Sequence, residues 1–226
     1  MNVLGIETSG NIGGIALCEN QQCIITKTFS GAMRHERELV PAIKDILEEV
    51  HWTVNDIDVI AVDVGPGSYT GLRIGVTCAK TLSYALNRPV VDVPIFDIVA
   101  ENCTSGTLPI CPIIDARRKH VYACVYQIDG VQKKRLTEFM VIEPEKLLAL
   151  LPRPVTIFGD GILPYKEIFS QEDIIIGAEE YATPKPGNVA LLGEKRYESG
   201  YQCEPGKLLP LYLQRPEAIE KKGMTI

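Results

Sequence analysis

The sequence predicts an α/β protein of 226 residues built as a duplicated β-β-β-α-β-α unit, with one lobe per copy. Three observations carry this expectation. Short apolar runs rich in β-formers alternate with segments whose apolar residues return every three or four positions. In each half, the strand after the first helix ends in a glycine pair, Gly65-Pro66-Gly67 and Gly159-Asp160-Gly161. Each half also closes its first strand on an acid, Glu7 and Asp115. The repeat lies in element order, not in residue identity.

Taken in order, Asn2–Glu7 reads as a strand, Gly10–Gly14 as a turn, and Ile15–Cys18 and Cys23–Phe29 as two further strands of a meander. Leu39, Ile43, Ile46, Leu47 and Val50 recur at helical spacing. Pro41 fits only a first helical turn, so this helix should start near residue 38. Asp58–Val64 is a nearly continuous apolar run, the mark of a buried strand. A helix follows from about Thr70 to Leu86, stopped by Asn87-Arg88-Pro89, and Val90–Val93 is the next strand. The second half repeats the order. Ile110–Asp115, Val121–Ile128 and Lys133–Val141 are strands, Glu143–Leu151 is a helix opened by Pro144, and Val155–Phe158 is a strand. A short helix runs to about Phe169. Pro186–Tyr201 is a last helix, and the tail Glu220–Ile226 should be loose. The lobes divide as residues 1–103 and 104–226, with the last helix and tail free to pack back on the first lobe.

Composition narrows the function classes. A net charge of −6 argues against a stand-alone nucleic-acid binder. The basic runs Arg117-Arg118-Lys119-His120 and Lys133-Lys134-Arg135 fit solvated turns, or a contact with RNA or an acidic partner. The seven cysteines form no CxxC pair and most lie in apolar patterns, as buried free thiols of a reducing compartment would. Three scattered histidines offer no zinc spacing. No signal-peptide pattern and no long apolar run is present, so a cytoplasmic location is expected.

The duplicated unit is the arrangement of the actin, sugar-kinase and Hsp70 (ASKHA) superfamily, an analogy of fold that licenses no chemistry by itself. In its two-lobed ATPases each lobe offers phosphate a hairpin turn with an acid and small residues. Here the first turn, Glu7-Thr8-Ser9-Gly10, keeps these features. The second, Asp115-Ala116-Arg117-Arg118-Lys119, keeps the acid but has no glycine. A self-contained ATPase site is therefore not expected.

The segment Gly65–Gly75 follows a buried strand and opens a helix. Its Gly65, Gly67, Ser68, Thr70 and Gly71 fit either a tight structural turn or, with Glu7, Thr8 and Ser9, an anion or nucleotide contact at a helix start. It is not a Walker A loop, since no Gly-Lys-Ser/Thr follows. Beyond it Gly75, Ala79 and Ser83 form a stripe four residues apart, suited to packing on this chain's own sheet or to a partner's helix. No GxSxG elbow or histidine metal pair is recognisable.

Several segments together resemble the TsaB (YeaZ) family, subunits of the bacterial machinery that makes threonylcarbamoyladenosine at position 37 of tRNA. They are Leu4-Gly5-Ile6-Glu7-Thr8-Ser9; the Gly65–Gly75 loop with Val76-Thr77-Cys78-Ala79-Lys80; Ile114-Asp115-Ala116-Arg117 with Val121-Tyr122; Gly159-Asp160-Gly161; and Pro210-Leu211-Tyr212-Leu213-Gln214-Arg215. The resemblance implies a non-catalytic subunit that pairs with and activates its catalytic paralogue TsaD, with the ATPase TsaE joining and tRNA met through the complex. The implied interface uses the helices carrying Leu39, Ile43 and Ile46 and Leu72, Gly75, Val76, Ala79 and Ser83. ATP or ADP at the junction with TsaD and a homodimer of the isolated chain are further implied options. TsaD carries a His-x-x-x-His metal pair after the equivalent helix. The matching stretch here, Val93–Val99, has no histidine, a departure that sets this chain apart from the metal-binding sister. Glu7 stands where many members have Asp. The rival expectations are an independent kinase-like ATPase and an M22-type peptidase of the same fold.

Overall fold

A computed structural model describes residues 1–31, 34–104, 106–130 and 132–214. The expected loose tail, Glu220–Ile226, and Arg215 lie outside the described residues. The chain divides into two compact units, Met1–Glu101 with Thr183–Pro210, and Asn102–Ala182 with the segment from Leu211. Thr183–Pro210, placed by sequence order in 104–226, belongs to the first unit.

In the first unit, β1 (Asn2–Glu7), β2 (Gly14–Glu19) and β3 (Gln22–Thr28) form an antiparallel meander. β4 (Val59–Gly65) lies parallel to β1, and β5 (Val90–Pro94) parallel to β4, giving the sheet order β3-β2-β1-β4-β5. Every residue of β4 is buried, as a strand covered on both faces must be. The cover comes from α2 (Tyr69–Leu86) and α6 (Pro186–Glu198), while α1 (His35–Glu49) lies on β2 and β3 beside α2. Val189 and Ala190 of α6 share a core with Val3, Cys18, Val59, Ala61, Val91 and Val93. α3 (Ile95–Ala100) follows β5 directly and buries Ile95, Phe96, Ile98 and Val99.

The second unit uses β6 (Ile110–Asp115), β7 (Val121–Ala123), β8 (Tyr126–Asp129), β9 (Gln132–Arg135) and β10 (Met140–Ile142). α4 (Pro144–Leu150), β11 (Val155–Phe158), α5 (Lys166–Phe169) and β12 (Ile174–Ile176) follow. Its main path is β10-β7-β6-β11-β12. Strand for strand, this repeats the order and the parallel and antiparallel senses of the first unit. Two such units are the ASKHA duplication that the element order predicts.

Four expectations change. α1 starts at His35, so Pro41 sits in its second turn. Pro41 and Arg37 are both exposed, and water can take the Arg37 carbonyl that Pro41 leaves without a donor. Val121–Ile128 is not one strand, because the Val125 amide turns aside to donate to Thr137 Oγ1 at 3.0 Å. That break releases β7 to pair with β10 and β8 to pair with β9. Lys133–Val141 splits for the same reason. Its cations Lys133, Lys134 and Arg135 line β9, which pairs only with β8, so they guard a sheet edge rather than decorate a turn. α3 and β12 are too short to leave a periodic signal. The cysteines are free, and most are buried as expected: Cys18, Cys103, Cys111 and Cys124 are buried, Cys78 and Cys203 half-buried, and Cys23 alone among them exposed.

The turn after β6 is strained. Arg117, Arg118 and Lys119 all take positive φ, at 62°, 51° and 62°. This region costs an L-residue roughly 1–2 kcal/mol. Asp115 holds the turn, accepting the Arg117 amide at 2.8 Å and pairing with its guanidinium at 2.9 Å. Replacing Lys119 with Gly should therefore raise stability by about 0.5–1 kcal/mol once the looser unfolded chain is counted. A thermal melt reads it as a small rise in Tm. A fall would mean that the lysine side chain, not the backbone, shapes the turn.

Candidate functional site

The residues singled out at the two sequence features meet at one place. β1 and β4 run parallel with Ile6 beside Val62, so Glu7 at the end of β1 comes beside Asp63, two residues before the end of β4. The chain then turns through Thr8 and Ser9 and passes under the start of α2. Glu7, Thr8 and Asp63 are wholly buried and Ser9 nearly so.

The glycines exist for this crossing. A Cβ on Gly71 would stand 1.9 Å from the Thr8 carbonyl oxygen, and one on Gly75 would stand 2.2 Å from Thr8 Oγ1. Both are far inside contact distance, so α2 can lie on the turn only if these positions carry no side chain. Gly67 sits against Ser9, and the Ser68 amide donates to the Ser9 carbonyl at 2.9 Å. Ser68 caps α2, its hydroxyl accepting the Gly71 amide at 3.2 Å. The Leu72 amide donates to the Ser68 carbonyl and the Gly65 amide to Asp63 Oδ1 at 2.7 Å. Four of the N–H groups that a phosphate would seek are thus spent on the chain itself. Of the eight residues read as an anion contact, Glu7, Thr8, Ser9, Gly65, Gly67, Ser68 and Gly71 converge. They converge on one another, with Ser68 half-buried and Gly67, like Thr70, exposed at the edge.

The acids beneath the crossing are held by few donors. Glu7 Oε1 accepts the amides of Ser9 at 2.7 Å and Gly10 at 2.8 Å. Ser9 Oγ lies 2.9 Å from Glu7 Oε1 and 2.5 Å from Asp63 Oδ2. A hydroxyl has one proton to give. It can satisfy one carboxylate, so the other carboxyl must bring its own. Burial pushes both acids up, Glu7 further because Asp63 stands beside it, to about 8. The pair thus keeps a proton at neutral pH. Such a site repels anions.

His35, the first residue of α1, closes the cluster from the side. Its Nε2 donates to the Gly10 carbonyl at 3.1 Å, its ring tilts against Phe29, and burial lowers its pKa, so it stays neutral. Asp63 and His35 complete a site that sequence reading did not assemble. The signal for Asp63 was an acid inside an otherwise apolar strand.

The residues taken for a partner interface lie elsewhere than expected. Leu39, Ile43 and Ile46 of α1 and Leu72, Gly75, Val76, Ala79 and Ser83 of α2 are all buried within this chain. The Gly75–Ala79–Ser83 stripe faces the chain's own core, and Ser83 Oγ donates to the Arg88 carbonyl at 2.6 Å beyond the helix end. The open sides of the same helices carry Glu36, Arg37, Val40 and Lys44, and Arg73, Thr77, Thr81 and Tyr84. In α3, where a metal-binding sister would place two histidines, the buried residues are apolar. Among the described residues no group of three or more His, Cys, Asp or Glu side chains is placed to hold a metal. No helix among them is long and apolar enough to cross a membrane.

Fold and site together define an ASKHA-type protein whose first-unit phosphate turn is filled from within. Comparison with known proteins sharpens this class. The family model described as "TsaD: tRNA N6-adenosine threonylcarbamoyltransferase" matches residues 27–220. The tRNA threonylcarbamoyladenosine biosynthesis protein TsaB of Bacillus subtilis is 32% identical over 229 residues, covering 98% of this chain and 97% of that protein. TsaB of Escherichia coli is 26% identical, covering 98% of each. The solved structure of YeaZ from Pseudomonas aeruginosa superposes with a TM-score of 0.80 at 23% identity, covering 93% of this chain and all of that one. The chain belongs to the TsaB family of tRNA threonylcarbamoyladenosine biosynthesis proteins.

Two outcomes test the site. Replacing Glu7 with Gln removes one acid but keeps the shape. A raised folded-state pKa means that stability is full at low pH and lost as pH rises, here toward about 8. The Glu7→Gln protein should melt at a similar temperature to the parent near pH 5 and higher at pH 9, by on the order of 1–2 kcal/mol. Parallel melting curves across that range would show that the acids share no proton. Gly71→Ala, in turn, should cost about 3 kcal/mol in urea unfolding, because backbone on both sides must move. Near-neutrality would show that the crossing is loose enough to admit a ligand.

Proposed function

We propose that this chain is a non-catalytic subunit of the complex that makes N6-threonylcarbamoyladenosine at position 37 of tRNA. It pairs with the catalytic subunit TsaD and holds it active, with the ATPase TsaE joining the assembly and tRNA reached through the complex. The observation that carries the reading is the Thr8–Gly71 crossing. The Gly65–Gly75 loop is packed on the chain's own turn, over a pair of buried acids. Nucleotide, as ATP or ADP, would then sit at the junction with TsaD rather than in this loop. The work takes place in the cytoplasm.

The surface for TsaD is the open side of α1 and α2. It offers Val40, Tyr84, Thr77 and Thr81 among a few charges, a mix suited to helix-on-helix packing. The same face can close on a second copy by two-fold symmetry when TsaD is absent. Thr77→Arg tests it. An exposed substitution should leave the melting temperature within about 0.5 kcal/mol of the parent. It should abolish co-elution with TsaD and reduce tRNA modification, assayed with the donor-forming enzyme, to the level without this chain. The reading fails if TsaD works equally well alone, or if this chain by itself hydrolyses ATP or peptides at enzymic rates.

A further inference from the structure

Two thiols outside the site face each other across the β2–β3 hairpin. Cys18 and Cys23 are direct partners in the antiparallel register, beside a shift in register between Leu17 and Cys18. Partners in such a ladder stand with Cα atoms roughly 4.5–5.5 Å apart. That lies within the span a disulfide bridges. Side chains opposite each other share a face, and both thiols lie against the first turn of α6. Cys18 Sγ is 3.9 Å from the Gly187 carbonyl, and a Cβ on Gly187 would stand 3.2 Å from Cys23 Sγ.

The two differ in a way that assigns roles. Cys23 is exposed and its sulfur lies 3.3 Å from Thr26 Oγ1. Cys18 is buried behind it. The hydrogen bond from Cys18 lowers the Cys23 thiol to about 6, against the effect of burial and with Thr26 adding to it. The same hydrogen bond, then burial, pushes Cys18 up. So the outer, exposed sulfur is the one that favours the thiolate and the inner, buried one is the one that holds its proton more tightly. Exposed thiolate in front and a second thiol within reach is the arrangement of cysteines that sense oxidants. A cross-link over six residues closes too short a loop to add much to folding. Its use is chemical.

We infer that Cys18 and Cys23 form an oxidisable dithiol in which Cys23 takes the first oxidation from a hydroperoxide and Cys18 resolves it as a cross-strand disulfide. In the first step the Cys23 thiolate attacks the peroxide, the O–O bond breaks, and a sulfenic acid forms with loss of hydroxide, or alkoxide from an alkyl peroxide. In the second, Cys18 sulfur attacks Cys23 sulfur. The S–S bond forms, the S–O bond breaks, and the Cys18 proton leaves with the departing hydroxide as water. The peroxide is reduced by two electrons, and the two thiols supply them. A dithiol reductant reverses the change.

The test uses the folded full chain and hydrogen peroxide, with remaining thiols capped by N-ethylmaleimide. Lys27 is the first basic residue, so both cysteines fall in one tryptic peptide, Met1–Lys27. The expected product is that peptide two hydrogens lighter and unlabelled. Reduction before capping should restore both labels. It should form at least about tenfold faster than Cys78 oxidises, since burial raises the Cys78 thiol to about 11. In Cys18→Ser, dimedone should trap a sulfenic acid at Cys23, and in Cys23→Ser the Cys18 label should persist. If Cys18→Ser does not fold, the wild-type peptide decides alone. The inference is overturned if Cys23 gains oxygen while Cys18 remains labelled, or if Cys78 oxidises as fast as Cys23.

Discussion

The passage of Thr8 beneath α2 is the contact on which the first unit depends. It fixes three things at once. The helix must begin with glycine at residues 71 and 75, because Thr8 atoms occupy the space of their side chains. The turn after β1 must be short and buried, because it is roofed by a helix. The two strands that end there must bring their last acids together, because β1 and β4 are parallel neighbours. Backbone cannot shift aside as a long side chain does, so tolerance at this point is low. The rest of α2 is less constrained: once seated, it is an ordinary amphipathic helix, capped by Ser68 and ended by Asn87 in the left-handed conformation.

Burying two acids under this crossing has an electrostatic cost that a retained proton offsets. A single hydroxyl, Ser9, bridges them. The remaining Glu7 oxygen has no partner, nor has Thr8 Oγ1. Polar groups this deeply buried and this poorly served are seldom kept for stability alone. Here the glycine loop lies on the turn, and each acid faces the other and the backbone amides beside it. The protonation of the pair is therefore tied to folding and to pH.

Much of the fold was legible because it rests on pattern. The meander, the buried strand before Gly65, the long helix after it and the echo of all three in the second half follow from periodicity and turn residues. The second unit's sheet was misjudged where a side chain replaces a strand partner. Thr137 taking the Val125 amide divides two expected strands, and no periodicity records a hydrogen bond across twelve positions. The start of α1 is obscured in the sequence by Pro41, which a wet helix face tolerates in its second turn. The site was half legible. Its glycines and its hydroxyls were visible, but a glycine tolerates close approach without naming what approaches. The stripe Gly75–Ala79–Ser83 carried the same ambiguity. A row of small residues tells that something packs closely, and here that something is Thr8 and the core beneath the helix.

The two units answer one architectural problem in opposite ways. Each has a turn after its first strand, with an acid at the strand's end. In the first unit the turn is small and is covered by glycines. In the second it carries three exposed cations at positive φ, and Gly159 and Gly161 come in close not on the turn but on Ile113, Ile114 and Asp115 at the strand's end. Asp115 is then spent on Arg117 and on shaping the turn. A phosphate needs open N–H groups, small residues and a free acid at both turns, and each turn lacks a different one of these. The helices that roof the first sheet keep one side in the core and one side open, so the packing that fills the first turn also fixes which helix faces are left for contact.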